Sequence, residues 1–114
     1  RKEQAMEKHV ELGYLLDLYG AFLTRRQRTA LEQTANEDCS LAEIAQMEGI
    51  SRQGVRDALL RGEAQLYDME HKLGLLALSR GLRALRAELA DLDKATVRER
   101  LDALIEISEG SHGV

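Results

Sequence analysis

The sequence predicts an all-α fold, built on a helix-turn-helix unit with a C-terminal helical extension. The 114 residues include no proline, only three tyrosines and one phenylalanine, and many strong helix formers. Apolar residues recur at steps of three and four, the period of amphipathic helices. One stretch, residues 40–61, predicts two helices joined by a glycine turn, of which the first is short and the second continues to Leu73. We therefore divide the chain into a helix-turn-helix domain, residues 6–74, and a helical extension, residues 75–109.

The helix-turn-helix prediction depends on start and turn signals that agree in register. Ser40 and Glu43 have the spacing of a capping box, in which each side chain bonds the other residue's backbone N–H. Gly49 suits a left-handed turn, and Ser51 is a natural cap for the second helix. The alternative is an ordinary helical hairpin with a glycine turn. The residues expected to hold the pair together are Leu41, Ile44, Ala45, Ile50, Val55, Ala58 and Leu59.

One position departs from the usual pattern of this motif. Glu48 lies directly before the turn glycine, where an apolar residue is usual. Two accommodations are open: Met47 takes over the apolar contact, or the turn is looser than usual.

The second helix of such a unit normally lies in the DNA major groove, with its first residues against base edges. Arginine can bond guanine bidentately and glutamine can bond adenine in the same way. The sequence therefore predicts base contacts from a recognition tip made of Ser51, Arg52, Gln53 and Arg56.

A cluster of arginines opens the preceding helix. Thr24 and Gln27 form a second predicted capping box, and Arg25, Arg26 and Arg28 occupy the first turn. That turn bears the positive end of the helix dipole, so cations there favour an external anion such as a phosphate. The alternative is that these side chains simply extend into solvent. The predicted phosphate contacts are Arg25, Arg28 and Arg61.

The chain before this cluster predicts an amphipathic helix from about Met6, ended or weakened by Gly20. Residues 1–5 are either a native leader or an expression remnant. The apolar stripe expected to face inward is Leu12, Leu15, Leu16, Tyr19 and Phe22.

Two leucine-rich rows follow the motif. The first runs from Val55 to Leu73, where Gly62 would allow a neighbouring helix to approach closely, and Gly74 ends it. The second runs from Leu75 to Leu92, and Thr96 with Glu99 predicts a third capping box before a last short helix. We expect a homodimer, the alternative being packing within one chain. The predicted dimer or partner contacts are Leu66, Met69, Leu73, Leu78, Leu82, Leu85 and Leu89.

Composition limits the other classes of function. The net charge of −4 argues against strong non-specific binding to nucleic acid, although a local basic face remains compatible with it. The single cysteine and scattered histidines offer no metal-ligand spacing, and no nucleophile–base pair or glycine-rich phosphate loop is present, so we expect no metal, no cofactor and no enzyme. No apolar run approaches the ~20 residues of a membrane helix, so we expect a cytoplasmic protein without a membrane partner.

Several short segments in order resemble the YlxM-type family of small bacterial helix-turn-helix proteins, which are similar to the fourth region of sigma factors. The segments that match are Leu-Leu-Asp-Leu-Tyr at 15–19, Leu-Thr at 23–24, Gln27-Arg28, Ser-Leu-Ala-Glu-Ile-Ala at 40–45, Ile-Ser-Arg-Gln at 50–53, Val55, Arg61, Glu63 and Lys-Leu-Gly-Leu at 72–75. This similarity runs from about Met6 to Leu76, and beyond it only helical character is shared. Gly54 stands where alanine is usual in the family, and Arg56 where tyrosine or histidine is usual.

The resemblance implies a cytoplasmic, dimeric, all-helical protein in which Ser51, Arg52 and Gln53 form the tip of the recognition helix and Arg28 contacts phosphate. It also implies a regulatory link to the signal recognition particle pathway. Two functions follow as hypotheses. One is a DNA-binding protein of transcription regulation. The other is a protein or RNA adaptor of the signal recognition particle pathway, whose helix-turn-helix is a scaffold not used for DNA.

Overall fold

The structure, a computed structural model, describes the backbone of residues 2–110 and the side chains of residues 8–110. The side chains of the first five residues, predicted as leader or remnant, lie outside that range. Within it the chain is helical, as predicted, and contains no strand. The elements are α1 (Lys2–Tyr19), a 3-10 turn (Gly20–Phe22), α2 (Arg25–Ala35), α3 (Leu41–Glu48), α4 (Arg52–Leu73), α5 (Leu75–Glu88), a second 3-10 turn (Leu89–Asp91) and α6 (Lys94–Ser108).

The chain forms two compact units, one up to Asp68 and one from Met69 onward. The division falls inside α4, between Asp68 and Met69. The boundary expected from the sequence lies further along the chain, directly after Gly74.

One hydrophobic cluster of the first unit is built on the helix-turn-helix. Ile44 and Val55 are fully buried, and Ala30 of α2 packs in the same cluster. The small side chains of Ala45 and Ala58 complete that cluster and allow the helices to cross closely. Partly buried side chains that pack against it are Cys39, Leu41, Ile50 and Leu59.

The helix starts and the turn predicted for α2, α3 and α4 are present. Thr24 and Gln27 form a reciprocal capping box at α2, and Ser40 and Glu43 form one at α3. Gly49 ends α3 with a φ of 68°, a left-handed conformation that favours glycine. Ser51 Oγ accepts a hydrogen bond of 3.0 Å from the Gly54 N–H and so caps α4.

α2 and α4 approach each other closely at Gly62, as the sequence predicts. A Cβ added there would lie 2.6 Å from Leu31 Cδ1 and 3.3 Å from Gln27 Cβ. Any side chain at this crossing would require Leu31 to shift.

The prediction for Phe22 is wrong. α1 ends at Tyr19, and the following 3-10 turn leaves Phe22 with 69% of its surface exposed. Leu15, Leu16 and Tyr19 are buried as expected, because they precede this change of helical period.

In the second unit, α5 and α6 pack on each other where Gly81 meets the Leu104 side chain. Leu85 and Leu104 are buried, and Arg100 pairs with Glu88 at 3.4 Å. Glu70 caps the start of α5 by accepting hydrogen bonds from the N–H groups of Leu76 (2.9 Å) and Ala77 (3.0 Å).

The third predicted capping box does not form. α6 begins at Lys94, and its cap is Asp93, whose Oδ1 accepts a hydrogen bond of 2.8 Å from the Thr96 N–H. Asp93 and Thr96 are both good capping residues. Capping by Asp93 lets α6 begin three residues earlier than capping by Thr96 would, which adds about one helical turn. None of the helices in the described part of the chain has the length and apolar character needed to span a bilayer.

Candidate nucleic-acid interface

The recognition tip opens α4 and faces away from the core. Ser51, Arg52, Gln53 and Arg56 are all exposed, whereas Val55 between them is fully buried. This alternation follows from the helical period, which turns Val55 toward Ile44 and leaves the polar residues on the outer face. The four predicted base-contacting side chains therefore share one accessible surface.

One member of the recognition tip is held by a neighbour that the sequence analysis did not single out. Gln53 Nε2 donates a hydrogen bond of 3.0 Å to Asp57 Oδ1, one helical turn further along α4. Both side chains are exposed. The sequence signal for this contact is the spacing of four residues between the glutamine and the aspartate, because residues four apart are neighbours on a helix surface.

A shallow groove lies between the start of α2 and the start of α4. Its volume is about 360 Å³, and its charged lining residues are Arg26, Asp57 and Arg61. The groove brings Arg61, a predicted phosphate contact, to the same surface as the arginine cluster of α2. Arg26 was absent from the predicted phosphate contacts, although the cluster was recognised. The other lining residues are Thr24, Gln27, Gly54 and Ala58.

The two remaining predicted phosphate contacts differ in their surroundings. Arg25 is 80% exposed and forms a long ion pair of 3.8 Å with Glu48, the residue before the turn glycine. Arg28 is exposed. Its Cδ lies 3.8 Å from the position that a Cβ would take at Gly20, so the aliphatic part of the side chain passes this glycine. Both guanidinium groups are accessible to an anion from solvent.

The ion pair also explains how the unusual glutamate is accommodated. Glu48 keeps only 16% of its side chain exposed and turns its carboxylate toward Arg25. Met47 does not take over an apolar contact, because it is 55% exposed and its Sδ lies 3.9 Å from Gln33 Nε2. The turn at Gly49 keeps its left-handed form, so it is not looser either.

The capping box beside the interface has an electrostatic consequence. Hydrogen bonding from the Ser40 backbone N–H, and then from its side chain, lowers the pKa of Glu43 below its ordinary value of 4.5. Burial, and then the nearby carboxylates led by Glu43, raise the pKa of the Cys39 thiol, so this cysteine is not an activated nucleophile. Among the residues described, no three histidine, cysteine or acidic side chains cluster closely enough to hold a metal ion.

The predicted dimer contacts do not all reach the surface. Leu66 is fully buried and Leu85 is 7% exposed within the single chain, so neither is available to a partner. Met69 and Leu78 are half-buried. Leu73, Leu82 and Leu89 are 52%, 47% and 52% exposed, so these three remain candidates.

A family profile matches residues 6–105, and its description is "Putative helix-turn-helix protein, YlxM / p13 like". The match extends well past Leu76, so the likeness continues into the second unit. The chain is 37% identical over 101 residues to a UPF0122 protein of Fusobacterium nucleatum, covering 89% of this chain and 95% of the relative. A UPF0122 protein of Bacillus cereus is 36% identical over 106 residues, covering 91% and 96%. A UPF0122 protein of Acetivibrio thermocellus is 52% identical over 71 residues, covering 62% and 61%.

Proposed function

Because the chain belongs to the YlxM/p13-like helix-turn-helix family UPF0122, we propose that it is a non-enzymatic regulatory protein that binds duplex DNA. The observation that carries this proposal is the shared exposure of the recognition tip on α4 and the arginines at the start of α2. In this proposal Arg52, Gln53 and Arg56 contact bases, with Ser51 beside them. Arg25, Arg28 and Arg61 contact phosphates on either side.

The groove supports separate roles for the base-contacting residues and the phosphate-contacting residues. A recognition helix in the major groove needs cations where the flanking phosphates pass, because phosphate contacts set its register. Arg61 and Arg26 border the groove between α2 and α4, one turn or more from the tip. In this proposal Arg61 and Arg26 add positive charge beside the base-reading surface, which itself carries Arg52 and Arg56.

The net charge of −4 sets the expected strength of binding. With few cations available, affinity depends on a small number of phosphate contacts and is weak without a preferred sequence. Three such contacts predict a slope of about −2.7 for the logarithm of the binding constant against that of salt concentration. Between about 50 mM and about 200 mM salt, affinity should then fall about 40-fold.

The test is a salt titration of fluorescence anisotropy with the whole chain and a randomised labelled duplex. Arg61→Ala should weaken binding and reduce the slope by about 1. Arg83→Ala is the matched control, because Arg83 is an exposed arginine of α5 that should leave both quantities unchanged. An affinity that does not weaken as salt rises would contradict DNA binding.

We also propose that two copies associate through the second unit. Leu75 and Leu82 are 42% and 47% exposed and lie seven residues apart on α5, the spacing of a helix–helix contact between copies. Leu89, which is 52% exposed, follows in the 3-10 turn directly after α5. Mass measurement in solution tests this: a dimer is expected, and Leu82→Glu should convert it to a monomer. A monomeric wild-type chain at all accessible concentrations would remove the proposal.

A second candidate function is an adaptor of the signal recognition particle pathway. The observation that favours it is a mainly apolar groove of about 550 Å³ in the second unit. It is lined by Leu89, Leu92, Val97, Leu101 and Ile105, together with the charged residues Lys94, Arg98 and Asp102. Exposed apolar surface of this kind is typical of protein–protein contacts. Pull-down against the protein and RNA of that particle, with duplex DNA as competitor, separates the two functions. Failure to retain either component removes the adaptor proposal.

A further inference from the structure

Among the hydrogen bonds described, those of the recognition tip include one acidic partner, Asp57. Its Oδ1 accepts a hydrogen bond of 3.0 Å from Gln53 Nε2, and it also lines the groove that Arg26 and Arg61 border. A carboxylate at this place would meet the phosphates of a bound duplex and reduce affinity. Because this acidic group weakens phosphate binding, its presence in a cationic surface indicates a second role.

The hydrogen bond has a definite chemical effect on Gln53. An ionised carboxylate can only accept hydrogen bonds, so it must face the nitrogen end of the amide and not the oxygen end. That contact removes the freedom of the Gln53 side chain to turn end for end. It consumes one of the two Nε2 hydrogens and leaves the other hydrogen and Oε1 available.

The groups that remain match one base edge. In the major groove adenine presents the N7 acceptor beside the N6 donor, and a glutamine bonds both when its amide has the correct orientation. A glutamine with the opposite orientation would place two acceptors or two donors against each other. Holding the amide in advance also avoids the loss of side-chain entropy at the moment of binding.

From these contacts we propose that Asp57 is a positioning residue that orients Gln53 to read adenine, raising sequence discrimination at the expense of affinity. The inference rests on the proposed DNA-binding function and deepens it. Asp57 itself need not touch a base. Its negative charge discourages non-specific phosphate contact near the tip, and its hydrogen bond fixes the donor–acceptor order of Gln53.

Asp57→Asn tests this in a nearly isosteric way. An asparagine can both accept from and donate to Gln53, so the amide is no longer held in one orientation. Asp17→Asn on α1 is the matched control, because it removes the same charge from an exposed position outside the groove. Selection from a randomised duplex pool measures base preference, and anisotropy with an unselected duplex measures non-specific affinity.

The expected result for Asp57→Asn is a fall of about twofold in preference for adenine at the position read by Gln53, because an exposed glutamine–aspartate pair one helical turn apart contributes about 0.2–0.5 kcal/mol. Affinity for unselected duplex should rise at the same time, and Asp17→Asn should lower no preference. If Asp57 acts through Gln53, adding Asp57→Asn to Gln53→Ala should cause no further loss of base preference. This dependence distinguishes positioning from a general structural effect.

A second measurement needs no DNA. In the free protein the side-chain amide signals of Gln53 in a ¹⁵N–¹H spectrum should shift in Asp57→Asn and stay in place in Asp17→Asn. Unchanged Gln53 signals overturn the inference, as does an adenine preference that is unchanged in Asp57→Asn or is absent from the wild-type protein. Wild-type binding that is insensitive to salt would instead overturn the proposed function, and this inference with it.

Discussion

Gly62 of α4 and Leu31 of α2 are in such close contact that a Cβ added at Gly62 would stand 2.6 Å from Leu31 Cδ1. Leu31 is only 3% exposed and has little room to move, and Gln27 Cβ would lie 3.3 Å from the same added atom. The crossing of these helices sets the distance between the arginine cluster and the recognition tip. The geometry of the candidate interface therefore depends on a glycine outside it.

Gly62→Ala should destabilise the protein by up to about 2 kcal/mol. Alanine gains about 1 kcal/mol of helix propensity, but overpacking against Leu31 costs about 1–3 kcal/mol. Gly13→Ala is the control, because nothing lies within 4 Å of a Cβ added there and the substitution should stabilise α1. Urea unfolding followed by circular dichroism measures both changes. Equal stabilisation by the two substitutions would show that the crossing is not tight.

Gly54→Ala should have the opposite effect from Gly62→Ala. A Cβ at Gly54 would meet Ser51 Oγ at 3.4 Å and Ile50 Cδ1 at 3.5 Å, which are ordinary contact distances. Removing a glycine from the first turns of α4 should therefore stabilise the protein by about 0.5–1 kcal/mol. The same urea measurement tests it, and a net loss of stability would contradict the packing described around Ser51.

Releasing Arg25 from Glu48 should strengthen binding to DNA. The pair is long, 3.8 Å, and Arg25 is 80% exposed, so the contact is weak and competes only modestly with a phosphate. Glu48→Gln should raise duplex affinity about two- to threefold at low salt, with less effect as salt rises. Glu32→Gln removes the same charge from an exposed site of α2 and is the control. An equal increase in both variants would assign the effect to net charge alone.

The capping box at α3 should make stability depend on pH. The pKa of Glu43 is lower in the folded protein than in the unfolded chain, because the Ser40 N–H bonds its carboxylate. The unfolded state therefore binds more protons, so this stabilisation is complete above the unfolded pKa and is lost as pH falls through the folded pKa.

Glu43→Gln tests the assignment, since glutamine also completes a capping box but does not titrate. Urea unfolding at a series of pH values should show a smaller loss of stability in acid for the variant than for the wild-type chain. Identical profiles would mean that Glu43 makes no contribution to the pH dependence.

The elements predicted correctly from the sequence are those that depend on local contacts. The caps at Thr24 and Ser40 and the left-handed glycine at Gly49 each involve residues within one helical turn. Backbone hydrogen bonding at a helix end is decided there, so spacing alone is informative.

The errors occur where two local solutions compete or where a distant contact decides. The start of α6 was predicted at Thr96, but Asp93 is also a good capping residue and caps the helix three residues earlier. Met47 does not replace the apolar contact because Glu48 is accommodated by its ion pair with Arg25, which lies 23 residues earlier in the chain. Phe22 is exposed because the helical period changes after Tyr19. In the candidate site, the exposure of the recognition tip followed from helical period, whereas its contact with Asp57 was missed.

Nuclear magnetic resonance mapping with the whole chain tests the central claim most directly. Adding a duplex selected from a random pool should shift backbone amide signals at the start of α4, residues 51–61, and at the start of α2, residues 24–28. Signals of residues 75–109 should stay in place under the same conditions. Shifts confined to residues 75–109, or no shifts at any concentration of duplex, would contradict the assignment of this surface to DNA.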